Sequence, residues 1–182
     1  MSRASEYGKA AEPPRSEPKA NGGGPQRRRI DAVAAALAWA AVLAWIALIS
    51  AFSGGDFWNA STSRFIGPLV RWLFPDISPV TLEAIHFVVR KTTHAVEYGV
   101  LALLALHALY RGLRLSLRGN AVLALAIVTA VGIADEANQA RLATRTGSAW
   151  DVALDLAGAV LALAILFAWR RRAGGSPAAS SH

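Results

Sequence analysis

Cysteine is absent from the 182-residue chain, which excludes disulfides, thiolate catalysis and cysteine ligands for zinc. Charged residues are also few: they make up 17% of the chain, against about 25% in an average soluble domain. The charges that are present crowd into the two ends and a few short gaps between long apolar runs. This uneven distribution is that of an integral membrane protein rather than of a soluble domain.

Several common catalytic motifs are missing as well. The chain has no Walker loop, no glycine-rich dinucleotide fingerprint, no GxSxG nucleophile elbow and no HExxH zinc motif. Nucleotide-driven transport and the usual serine hydrolase arrangement are therefore not indicated, and we expect no cofactor. A net charge of +7 is compatible with binding either to nucleic acid or to anionic lipid. Because the arginine clusters abut apolar runs, we expect membrane lipids as partners and no nucleic acid.

Four apolar runs are long enough to cross a membrane core about 30 Å thick. The predicted spans are Ile30–Phe52, His86–Tyr110, Asn120–Gln139 and Trp150–Trp169. A cleaved signal peptide is the weaker alternative for the first run, because its apolar region would cover only about 7–15 residues. The sequence predicts a disordered basic cytoplasmic tail over residues 1–29, one membrane domain over residues 30–172 and a flexible tail over residues 173–182.

The segment between the first two spans is too polar to cross a membrane. Within it, Ser63–Phe74 places large apolar residues at helical spacing, with Arg64 and Arg71 between them. That pattern predicts a short amphipathic helix at the membrane surface, in the first extracytoplasmic loop. The alternative is an ordinary extracytoplasmic loop that packs on the helices.

Arginine clusters predict the orientation of the chain. They lie tight against the helix ends of one side, at Arg27–Arg29, in the gap at residues 111–118 and at Arg170–Arg172. Because positive charge is retained on the cytoplasmic side, the N- and C-termini are predicted to be cytoplasmic. The predicted fold class is therefore an all-α membrane protein with four transmembrane helices.

Polar side chains of spans two to four fall at one depth. Because these spans alternate in direction, the start of the second, the end of the third and the start of the fourth meet toward the outer leaflet. The candidate pocket consists of Lys91, His94, Glu97, Tyr98, Asp135, Glu136, Gln139, Asp151 and Asp155, with Arg145 and Ser148 in the loop above them. A charged group at membrane depth costs several kcal/mol unless it is paired or hydrated, so we expect these residues to face one another.

Two interpretations of this set stay open. It is either an outward-facing pocket that binds a charged head group or performs acid–base chemistry, or a set of ion pairs that only holds the helices together. The number of ionisable groups at one depth favours the pocket. Ser148 and Asp151 also fit a capping box, which would explain both residues without a binding role. No ligand spacing supports a metal site, and Gly158 predicts close helix packing.

Two stretches resemble the VanZ-like family of small bacterial membrane proteins: RKTTHAVEYGVLALL at Arg90–Leu104 and DEANQARLATRTGSAWDVALDLAGA at Asp135–Ala159. The family pattern falls on Lys91, His94, Tyr98, Asp135, Glu136, Gln139, Arg145, Ser148, Asp151 and Gly158. The chain departs from it at Asn138, where the family often has His, and at residues 141–144, where it often has Phe-Val-Pro-Gly. A role for that His is therefore not carried over to this chain.

The resemblance implies a place in the bacterial cytoplasmic membrane and a role at the cell envelope, because the family is named for a member linked to teicoplanin resistance. It implies a cell-wall precursor or a glycopeptide as a partner besides membrane lipids. Three hypotheses stay open: a protein that binds a charged lipid or lipid-linked precursor, a membrane enzyme with Asp135 or Glu136 as base, and a structural or accessory subunit. We prefer the first, because no motif indicates a known reaction.

Overall fold

The computed structural model describes residues 24–53, 64, 66–113, 115–140 and 149–174. The helices within these ranges are α1 Pro25–Ser53, α2 at residues 66–73, α3 Pro79–Gly112, α4 Leu117–Gln139 and α5 Ala149–Gly174. Four of them, α1, α3, α4 and α5, are long and apolar enough to cross a membrane. The predicted all-α membrane protein with four transmembrane helices is confirmed, while the cytoplasmic position of its termini stays a prediction. Most of the predicted N-terminal tail (residues 1–23), the loop residues Arg145 and Ser148, and residues 175–182 lie outside the described residues.

The first two spanning helices begin earlier than the apolar runs do. α1 starts at Pro25, so Arg27–Arg29 lie in its first turns rather than before it. α3 starts at Pro79, where Ser78 caps the helix by accepting a hydrogen bond from the backbone N–H of Thr81 at 3.1 Å. With 34 residues, α3 is about 51 Å long, well beyond a core about 30 Å thick. Its ends therefore extend past the hydrocarbon region.

The short helix α2 lies within the segment for which an amphipathic helix was predicted. Its side chains of Leu69, Trp72 and Leu73 are exposed, as is Arg71 between them. Exposed apolar groups interspersed with a cation suit a helix at a membrane surface. The observed helix thus agrees with the first interpretation of this segment, and its position at the membrane surface stays a prediction.

α3 is the central helix of the bundle. It packs most extensively against α5 and also packs against α1 and α4, and α4 in turn packs against α5. Residues in the second half of α3, such as Leu101, Ala102 and Ala105, form much of the buried core. Many large apolar side chains elsewhere face outward, as expected for a bundle surrounded by lipid.

α3 and α5 come into backbone contact at Gly158. A Cβ atom added to Gly158 would lie 2.2 Å from the backbone oxygen of Ala95, so no other residue fits without a shift of one helix. One turn further along, a Cβ on Gly99 would lie 3.3 Å from the Cβ of Ala162. Small residues four apart on both helices thus allow the close approach, as predicted for Gly158.

Candidate functional site

The polar residues of α3, α4 and α5 meet toward the end of the bundle where α5 begins. We call this group the polar cluster. It consists of Lys91, His94, Glu97 and Tyr98 on α3, Asp135, Glu136 and Gln139 on α4, and Asp151 and Asp155 on α5. Alternating helix directions bring these stretches to one depth, as the sequence predicted.

Two charged contacts join α3 to α5. The ammonium group of Lys91 donates a hydrogen bond to the carboxylate of Asp151. One turn further along both helices, Nδ1 of His94 lies 4.0 Å from Oδ1 of Asp155. Because α3 and α5 run in the same direction here, residues on successive turns of one helix meet residues on successive turns of the other. The Gly158–Ala95 contact lies next along this interface and fixes the distance between the two helices.

α4 closes the cluster from a third side. On it, Nε2 of Gln139 donates a hydrogen bond to Oδ2 of Asp135 at 2.8 Å, and both residues are buried. A Cβ on Gly132 would lie 3.7 Å from Cε1 of Tyr98 and 3.9 Å from Oδ2 of Asp155. These are ordinary van der Waals distances, so the ring of Tyr98 and the carboxylate of Asp155 both pack beside the α4 backbone at Gly132.

Tyr98 occupies the centre of the cluster. Its side chain is 0% exposed, and its hydroxyl has no hydrogen-bond partner among the described residues. The hydroxyl interacts electrostatically with four carboxylates, those of Glu97, Asp135, Glu136 and Asp155. A buried polar group that makes no hydrogen bond costs about 1–3 kcal/mol. Such a group in a folded protein calls for an explanation, such as a water, an ion or a functional role.

The described part of the cluster is rich in negative charge. Its five carboxylates belong to Glu97, Asp135, Glu136, Asp151 and Asp155. The lysine of the cluster is paired with one of them, and the neighbouring Arg90 has its guanidinium 5.7 Å from the ring centroid of Phe87. Asp135 and Glu136 have interaction partners as well, so the number of carboxylates does not decide the charge of a ligand.

The cluster does not have the geometry of a metal centre. In the part of the chain that the structure describes, no three His, Asp or Glu side chains form a group that could hold a metal ion. The charged contacts occur instead as pairs between neighbouring helices, such as Lys91 with Asp151.

Nine of the eleven predicted pocket residues lie together in the structure, and their function stays a prediction. Arg145 and Ser148 fall outside the described residues, and so does the proposed capping box.

Two residues that contact the polar cluster were not predicted from the sequence. Gly132 packs beside Tyr98 and Asp155, and the indole N–H of Trp45 on α1 donates a hydrogen bond to the backbone oxygen of Glu97 at 2.9 Å. A glycine three residues before Asp135 was a usable signal, whereas Trp45 resembles any aromatic residue of an apolar run.

A family model described as VanZ/LLP1 matches residues 36–170. This range includes every residue of the polar cluster and most of the four spanning helices. No curated protein and no solved structure matches the chain.

Proposed function

The chain belongs to the VanZ/LLP1 family, and on that premise we propose that it acts at the bacterial cell envelope, as a protein of the cytoplasmic membrane. In this proposal, the polar cluster binds the charged group of a lipid or of a lipid-linked cell-wall precursor. Binding alters the response of the cell to glycopeptide antibiotics such as teicoplanin. The glycopeptide part of the proposal comes from the resemblance, because the VanZ-like family is named for a member linked to teicoplanin resistance.

The buried hydroxyl of Tyr98 carries the proposal. A cluster that only holds helices together needs complementary pairs such as Lys91 with Asp151. Tyr98 does not fit that description, because its hydroxyl is buried among carboxylates and has no partner in the described residues. A ligand group that enters the cluster would supply the missing hydrogen bond.

The gradient of exposure supports entry from the end of the bundle. Along α5, side-chain exposure falls from 29% at Asp151 to 7% at Asp155, whereas on α3 Lys91 and His94 are about equally exposed, at 18% and 19%. A head group held at the membrane surface would thus reach Asp151 before Tyr98. The exposed apolar side chains of α2 would suit contact with the acyl chains of a lipid at the headgroup boundary.

A susceptibility assay tests the proposal. The gene is deleted in its host, and teicoplanin and vancomycin susceptibility are measured in strains complemented with wild type, Asp135→Asn or Lys91→Met. At matched membrane abundance, we expect wild type to restore the original susceptibility and both variants to fail. The control is Glu83→Gln, which changes an exposed carboxylate of α3 outside the cluster and should complement fully.

Two outcomes would contradict the proposal. Full complementation by abundant Asp135→Asn and Lys91→Met would show that the cluster only packs helices. A deletion strain with unchanged susceptibility to both antibiotics would show that this chain has no part in the glycopeptide response.

A further inference from the structure

α3 projects past the expected edge of the lipid at the end of the bundle where α5 begins. On α5, the exposed side chains of Trp150 and Trp169 lie roughly 29 Å apart along the helix, and such aromatic residues are typical of the two membrane boundaries. Because Asp151 pairs with Lys91, the level of Trp150 falls just before Lys91 on α3. α3 begins at Pro79, so it extends about 17 Å beyond this level.

An apolar groove runs along this projecting part of α3. Its outer part has a volume of about 530 Å³ and lies between residues 73–77, at the end of α2, and Thr81 and Ile85 of α3. Its inner part has a volume of about 250 Å³ and is lined by Thr81, Ala84, Ile85, Val88 and Val89. Both parts share Thr81 and Ile85, so they form one groove. Among its lining residues, Asp76 is the charged one, and it belongs to the outer part.

The wall that α2 forms is fixed to α3. In the turn after α2, the backbone N–H of Phe74 donates to the oxygen of Val70 at 2.8 Å, and the N–H of Ile77 donates to the oxygen of Phe74 at 3.1 Å. Near the start of α2, a Cβ on Gly67 would lie 3.8 Å from Nε2 of His86, so α2 packs against α3 there. The groove is therefore formed by the fold itself and does not need a ligand to shape it.

The position of the groove favours a hydrocarbon chain as its occupant. Its inner end, at Val88 and Val89, lies next to the level at which the lipid is expected to begin, so a chain can pass from the bilayer into the groove without crossing water. Covering the apolar lining removes it from water, which stabilises the occupied state. The stretch from Thr81 to Val89 is about 12 Å long, which is short for a docked helix of ordinary length.

From this position and lining we infer that the groove binds one hydrocarbon chain of a membrane lipid and holds it outside the hydrocarbon core. The inference goes beyond the proposed function, because it involves neither the polar cluster nor the response to antibiotics. It gives the chain a second lipid contact, directed at the tail of a lipid rather than at its head group.

Photolabelling of the full-length chain in nanodiscs tests the inference. The nanodiscs contain phosphatidylcholine and phosphatidylglycerol, with a small fraction of phosphatidylglycerol that carries a diazirine at the end of one acyl chain. A chain end lies near the middle of the bilayer, so it reaches the projecting part of α3 only if a site draws the chain out. After illumination, mass spectrometry of the peptides locates the adducts.

The expected labelling differs between two sides of α3 at one depth. We expect adducts on the groove residues Thr81 and Ile85, and few on Glu83 and Phe87, which are exposed on the other side of the helix. Leu161 is an exposed apolar residue in the middle of α5 and serves as the internal reference, because lipid chains should label it in every sample.

A matched pair of variants assigns the adducts to the groove. Ala84→Trp places a large ring in the inner part, and we expect it to lower the labelling of Thr81 and Ile85 about tenfold, the value of about two methylene contacts. Glu83→Trp introduces the same ring one residue away, outside the groove, and should leave the labelling unchanged. Both positions are exposed, and labelling of Leu161 confirms that each variant is inserted in the bilayer.

Three outcomes would overturn the inference. Equal labelling of both sides of α3 would show that this part of the helix simply lies in lipid. Unchanged labelling in Ala84→Trp would place the chain outside the groove. Labelling of Leu161 without labelling of Thr81 or Ile85 would show that no lipid chain enters, and a dimer in the same nanodiscs would then assign the groove to a second copy. None of these outcomes affects the proposed function, which the susceptibility assay decides independently.

Discussion

At the scale of single residues, Lys91 and Asp151 are expected to stabilise the bundle only as a pair. Their depth followed from helix direction and length, whereas the choice of Asp151 over an acid of α4 depends on the rotation of each helix about its axis. Lys91→Met leaves Asp151 partly buried without its cation, and we expect a loss of about 2 kcal/mol in the free energy of unfolding. The double variant Lys91→Met/Asp151→Asn removes both charges and should recover much of that loss. The measurement is a double-mutant cycle by denaturant unfolding in detergent micelles. Strictly additive effects would show that the two side chains do not interact.

At the scale of helices, hydropathy and capping predict different boundaries. The apolar run predicted a start for the second span at His86, but α3 begins at Pro79. Ser78 and Pro79 determine the boundary, because they satisfy or remove the N–H groups that the first turn leaves unpaired. The hydropathy of the sequence identifies only the part of a helix that crosses the lipid. The polar turns that continue a helix beyond the lipid must therefore be read from the capping residues.

The contact between α3 and α5 predicts a strong effect of a single methyl group. Gly158→Ala would place a Cβ atom against the backbone of Ala95, so the helices must separate. We expect a loss of about 3 kcal/mol in the free energy of unfolding, at the upper end of the cost of overpacking. Because the same contact sets the distance between α3 and α5, the variant should also weaken the Lys91–Asp151 pair.

Gly174→Ala is the matched control for this prediction. It makes the same change on the same helix, at a glycine whose added Cβ would lie within 4 Å of no atom of another part of the described chain. We expect it to leave stability unchanged or slightly higher, because alanine favours the helix. If both variants unfold alike in denaturant, α3 and α5 are not in contact at Gly158.

At the scale of the whole molecule, four spans and their order followed from composition, but the packing did not. The hydropathy of α1 is the highest of the four spans, yet α1 is the least buried of them, while the less apolar α3 is the most buried. Lipid and protein interior are similarly apolar, so hydropathy does not distinguish the centre of a bundle from its edge. The polar residues distinguish the two positions. α3 carries four members of the polar cluster, and these must be kept away from lipid.

Orientation is a property of the whole chain, and the absence of cysteine makes it directly measurable. Single cysteines are introduced at Asp76, in the turn between α2 and α3, and at Leu113, between α3 and α4; both positions are exposed. Because arginine clusters should stay in the cytoplasm, we expect a membrane-impermeant maleimide to label Asp76→Cys in intact cells, and Leu113→Cys only after permeabilisation. The unsubstituted chain gives the background. The reverse pattern would place the polar cluster toward the cytoplasm, and an envelope ligand reaching it from outside would then be ruled out.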